Sequence, residues 1–176
     1  MTCPAPVPGA ATAGALLTPA DCFALGQQGV PYQWQDGTII SDKPGACAHY
    51  RANQIVTGET WLTVTLVGSR DPQDYAACPY PPLGQAIPVG TGWHDGAGNL
   101  YTISGHYAPH NGNCREQSGG DATAGSVTYT AASDTALEAS YDLTFAAGRV
   151  TGTFAAPVCG MAGCPPRPSK TACVAS

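Results

Sequence analysis

In the last third of the chain, apolar and polar positions alternate one for one. In ALEASYDLTF (Ala136–Phe145), Leu137, Ala139, Tyr141, Leu143 and Phe145 fall on one side and Glu138, Ser140, Asp142 and Thr144 on the other. That is the period of a strand with one buried face. SVTYTAA (Ser126–Ala132) and RVTGTFAAP (Arg149–Pro157) flank it, so a three-strand meander is predicted. Ala146-Ala147-Gly148 suits a type I turn followed by a glycine in the left-handed region. Val150, Gly152 and Phe154 then continue the buried side. The hairpin stops at Pro157 and reaches Cys159, which reads as a staple on a fraying strand end, with a stabilisation of about 2–4 kcal/mol.

Upstream, TWLTVTLVG (Thr60–Gly68) sets Leu62, Val64 and Leu66 against Trp61, Thr63, Thr65 and Val67, again a strand. WHDGAGNLYTI (Trp93–Ile103) reads as a hairpin, because DGAGN (Asp95–Asn99) is turn chemistry between two apolar runs. Residues 69–89 are proline-rich and predict a long crossing loop pinned by Cys78, not a central strand. Residues 105–125 predict a second polar loop, held by Cys114. LTPADCFALG (Leu17–Gly26) is the single helical candidate, with Thr18 as cap, Pro19 in the first turn and Gly26 as stop. Residues 1–20 read as a flexible tether and residues 21–176 as one β domain with a Cys-rich C-terminal tail. The fold expected is all-β, an antiparallel sandwich or barrel with long loops, stapled by disulfides.

Composition sharpens this picture. A chain of 176 residues can bury roughly 70% of its unfolded surface. Only 11% of its residues are charged, against about 25% in an average soluble domain. The net charge is −5, and the only lysines are Lys43 and Lys170. Nucleic acid and anionic lipid are therefore disfavoured as partners, since both demand clustered Lys and Arg. No apolar run reaches the length of about 18 residues that a membrane-spanning helix needs.

The eight cysteines are Cys3, Cys22, Cys47, Cys78, Cys114, Cys159, Cys164 and Cys173. They are even in number and dispersed, without the paired knuckles of a zinc site. They read as disulfides made in an oxidising compartment, with roughly a hundred pairings open to them. Met1 and Thr2 lead directly into Cys3 with no apolar leader, so export implies a leader removed beforehand. Cys3 itself reads as half of a disulfide or, alternatively, as a lipid-anchored cysteine on a Pro/Ala/Gly tether.

The candidate chemistry is sparse. His94, His106 and His110 cluster in sequence, with His49 apart. His94 lies at the hairpin turn and His106 roughly 23 Å along the returning strand, too far to share an ion. His106 and His110 form an alternative metal pair, joined by His49 or Asp121 across a loop. Cys159, Met161 and Cys164 form another, with soft ligands suited to Cu(I). Neither is preferred over hydrogen-bonded loop histidines and disulfide cysteines, and no cofactor is expected. Asp95 with Asn99, and Asp71 with Asp74, read as turn-capping acids, not as a calcium site. No nucleophile elbow, phosphate-binding loop or zinc-protease motif occurs. Trp61, Tyr80, Trp93 and Tyr107 are the candidate binding aromatics, with packing at the edges of the core as the alternative.

GSVTYTAASDTALEASYDLTFAAGRVTGTFAAPVC (Gly125–Cys159) resembles the closing strand pattern of small secreted cysteine-rich lipoproteins from myxobacteria and related predatory bacteria. The resemblance covers about a fifth of the chain. It implies an exported β-domain and assigns no site. The function expected is a non-catalytic exported module of the cell envelope, binding or structural: an adhesin, an appendage subunit or an accessory lipoprotein. Its partner is expected to be a protein or glycan on a cell surface, or further copies of itself. A periplasmic copper or redox handler and a small secreted hydrolase are the alternatives.

Overall fold

A computed structural model of the chain describes residues 12–16, 32–45, 49, 52, 54–70, 81–90, 92–132, 136–157 and 172–175. The elements named among them are all strands, twelve in number. They are β1 (Thr12–Leu16), β2 (Tyr32–Ser41), β3 (Gln54–Val56), β4 (Thr60–Arg70), β5 (Ala86–Pro88) and β6 (Trp93–His94). β7 (Leu100–Pro109), β8 (Gly120–Asp121), β9 (Ala124–Ala132), β10 (Ala136–Phe145), β11 (Gly148–Pro157) and β12 (Ala172–Val174) complete the order. One sheet runs β1-β2-β4-β7-β6 with β8 also on β7, a second runs β11-β10-β9-β5, and β3 pairs with β12. Both large sheets are antiparallel, whereas β3 and β12 run parallel. The antiparallel all-β class read from the pattern is the class observed. Neither large sheet closes on itself.

In β4, β10 and β11 the apolar side of the alternation is buried, and Trp61 of β4 is buried on the other side as well. Leu62, Val64 and Leu66 of β4 join Tyr101, Ile103 and Tyr107 of β7 in one core. The other sheet supplies Ile87, Val127, Tyr129, Leu137, Leu143, Val150 and Phe154 to the same core. Each fully buried Leu or Ile contributes about 1.5–3 kcal/mol of transfer free energy. The β10–β11 register sets Phe145 opposite Gly148, and Gly148 has a φ of 141°, the backbone its tight turn requires.

The two sheets are stitched along one side. Residues 120–125 leave β7 and join β10: the Ala122 amide donates to the Gly105 carbonyl (2.8 Å) and the Thr123 amide to that of Thr144 (2.7 Å). The Val89 amide donates to the Gly125 carbonyl (2.9 Å) and the Gly90 amide to that of Ile103 (3.0 Å). On the opposite side β1 runs beside β11.

Three expectations change. The tract read as tether supplies β1, which pairs with Asp36 to Ile40 of β2; an edge strand is held by backbone ladder bonds and needs no apolar alternation. The proline-rich 69–89 stretch yields β5, a three-residue edge strand on β9, a position in which proline is tolerated. The loop expected from residue 105 onward begins only after Pro109, because β7 continues through Gly105 and Tyr107. Gly105 reads as a loop residue in sequence, yet it faces the core. A Cβ there would lie 3.0 Å from Leu143 Cδ1 and 3.3 Å from Ala122 Cβ.

The helical candidate Leu17–Gly26 lies outside the described residues. Among those described, no helix is long and apolar enough to cross a membrane.

Candidate functional site

A group of hydrogen-bonded polar side chains gathers at one end of β7 and in the loop that follows it. Pro109 ends the strand, and the loop doubles back so that His110 bridges Glu116. The Gln117 amide donates to the Pro109 carbonyl at 2.7 Å. Within the loop the Asn111 amide donates to the Arg115 carbonyl, and the Cys114 amide to that of Asn111, each at 2.9 Å. Asn111 Oδ1 accepts the amides of Asn113 (2.8 Å) and Arg115 (3.0 Å). A side-chain carbonyl thus does locally what a ladder would otherwise do. Cys114 and Ser118 hold left-handed backbone, with φ of 55° and 47°, conformations costing of order 1–3 kcal/mol each that surrounding structure must enforce. Part of the enforcement is covalent. Cys114 is disulfide-bonded to Cys173 of β12, with Cα atoms 5.5 Å apart.

Beneath this clasp lies a second, smaller cluster of Ile39, Trp61 and Ala108, with Ile55 packed against it. Beside it is Glu59, whose side chain is fully buried. Glu59 Oε1 accepts the Ser41 hydroxyl, and Oε2 accepts the Val56 amide at 2.9 Å. The Glu59 carbonyl accepts both the amide (2.9 Å) and the Nδ1–H (3.0 Å) of His110. The His110 ring meets Trp61 edge-on, with centroids 5.6 Å apart. A buried carboxylate must be hydrogen-bonded to persist. Glu59 meets that demand by closing the β3–β4 turn and anchoring the start of the loop.

On the outer side of β7, His106 Nδ1 lies 2.7 Å from Asp121 Oδ1 and Nε2 lies 3.1 Å from Glu116 Oε1. The Asp121 hydrogen bond raises the His106 pKa above its ordinary 6.5, burial opposes it, and Glu116 adds to the rise. The two carboxylates address opposite nitrogens of one ring and so do not converge on a point. Among the described residues, no group of three or more His, Cys, Asp and Glu side chains is placed to hold a metal ion. Both ring nitrogens are occupied, so the ring serves as a tie between elements and not as a free base.

Trp61 is buried in the small cluster at 7% exposure. Tyr107 is buried in the main core, its ring 5.8 Å from that of Phe145. Trp93 is half-buried against Tyr101, with centroids 6.0 Å apart. His94 is exposed and pairs with Leu100. His49 donates its amide to the Gly45 carbonyl at 3.0 Å.

Asp95 is a turn acceptor. Its Oδ1 takes the amides of Ala97 (2.8 Å) and Asn99 (2.9 Å), and its Oδ2 takes the Asn99 side-chain amide (2.7 Å) and the Tyr101 hydroxyl (3.2 Å). Tyr80, Asp71, Asp74, Met161, Cys3, Cys22, Cys47, Cys78, Cys159 and Cys164 lie outside the described residues.

Sequence reasoning missed Ser41, Glu59 and Glu116, which sit in ordinary turn-like contexts and acquire partners only through long-range pairing. The chain matches no protein-family model, no curated protein and no solved structure.

Proposed function

We propose that the chain is an exported, non-catalytic module of the cell envelope that binds a protein or glycan through the disulfide-clasped loop at 110–119. The observation that carries this reading is the Cys114–Cys173 bond, since such bonds persist in oxidising compartments. The exposed tip of the loop, Gly112, Asn113, Arg115, Gln117 and Ser118, stands on a frame of backbone bonds and one covalent clasp. Such a surface is ordered before it meets a partner and avoids much of the ordering cost of binding. The neighbouring acids and histidines are engaged with one another or with backbone, which favours a structural or binding role over turnover. An adhesin, an appendage subunit and an accessory lipoprotein anchored at Cys3 all fit this description.

The test is the intact mass of the exported protein after thiol alkylation without reduction. Eight hydrogens missing and no alkylation would support a fully stapled exported module. Free thiols at Cys114 and Cys173 would remove the reading's foundation. Label at Cys159 and Cys164 alone would favour the copper or redox alternative, and a diacylglycerol mass on Cys3 would identify the lipoprotein form.

A further inference from the structure

His106 is the point at which loop, β8 and β7 are tied through side chains. Both of its ring nitrogens face carboxylate oxygens, at 2.7 Å and 3.1 Å. A neutral imidazole has one N–H and one lone pair, and only the imidazolium donates from both nitrogens. We propose that the His106–Glu116–Asp121 cluster is a proton-operated latch, closed over β7 when the ring carries two protons and released at its Glu116 arm when it carries one.

The geometry decides which arm lets go. Asp121 is the nearer carboxylate, so the neutral ring keeps its proton on Nδ1 and turns the Nε2 lone pair toward Glu116. Asp121 is also fixed by its backbone: β8 is paired with His106 and Tyr107, and the next residue donates to Gly105. Glu116 lies in the loop, held there by its bridge to His110. Its carboxylate is packed on the Gly119 backbone, where a Cβ would come 2.2 Å from Oε1. Losing the His106 contact leaves the loop held to the end of β7 by the Gln117 amide on the Pro109 carbonyl.

The charged groups facing the ring are Glu116 from the loop and Asp121 from β8, while β4 presents Thr63 opposite it. The raised His106 pKa gives the sign. The latch is fully engaged below the ordinary value of 6.5 and is lost as pH rises through the higher folded value. It operates whatever the loop recognises.

The test is an NMR titration of the His106 ring, with amide hydrogen-exchange protection at Cys114 and Gln117 corrected for intrinsic pH dependence. From below pH 6.5 to a pH well above the raised folded value, protection at Gln117 is expected to fall about tenfold or more as the ring loses its second proton. The neutral ring is expected to hold its proton on Nδ1. In Glu116→Gln the side-chain amide donates to the neutral Nε2, so the loop stays closed at both pH values. Equal wild-type protection across the range, a His106 pKa at or below 6.5, or a pH response that survives in Glu116→Gln would overturn the latch.

Discussion

The choice of glycine in this fold is decided by close approach as much as by turns. Gly125 has a φ of 114°, and a Cβ built on it would lie 2.0 Å from the Asp142 carbonyl oxygen. Gly125→Ala meets backbone that cannot yield and a conformation L-residues avoid, so a loss of about 2–3 kcal/mol is expected in urea unfolding. Gly96, with nothing within 4 Å, is the control, and its alanine variant should stay within about 0.5 kcal/mol of wild type. Gly148 was legible in the sequence because a hairpin turn demands it. Gly105 and Gly125 were not, because the groups that crowd a Cβ there, Leu143 and Ala122 at Gly105 and the Asp142 carbonyl at Gly125, are distant in sequence.

At the scale of the element, the β6–β7 hairpin depends on one carboxylate. Burial alone would raise the Asp95 pKa. The Asn99 side chain, the Asn99 and Ala97 amides and the Tyr101 hydroxyl outweigh it and bring the pKa below 3.8. A depressed carboxylate pKa contributes stability that is present above the unfolded value and lost as pH falls through the folded one. Unfolding followed below about pH 4 should therefore show an acid limb that flattens in Asp95→Asn, whose Oδ1 still accepts both amides. Asp95→Ala removes the acceptor and should cost about 1–2 kcal/mol at neutral pH. A steep acid limb persisting in Asp95→Asn would assign the dependence to other groups. The hairpin, β4 and the β9–β11 meander were readable because each carries its own alternation and its own turn residues. The strands β3, β8 and β12 were not, since two or three residues show no period and exist only where a distant edge accepts them.

At the scale of the molecule, one covalent bond ties the C-terminal strand β12 to the loop after β7. Cys114 and Cys173 are 59 residues apart, and closing so long a loop removes much entropy from the unfolded chain. Replacing both by serine should lower stability by about 2–4 kcal/mol and raise the denaturant slope, because the unfolded chain is no longer held compact. It should also strip exchange protection from the Thr57 amide, which donates to the Val174 carbonyl at 2.9 Å. Retained protection at Thr57 would mean that β12 holds to β3 without the clasp.

By itself the sequence determined the strand class, the inward set of β4 and β9–β11, the hairpin turns and the expectation of disulfides. These follow from periodicity, turn chemistry and cysteine count, all of them local. Only the tertiary structure decided that Cys114 meets Cys173, that Trp61 and Tyr107 are packed inside, and that Glu59, Glu116 and Asp121 find histidines or buried donors. Strand pairing is set by the order in which edges meet, and that order brings together residues 10 to 59 positions apart, a proximity no local pattern records.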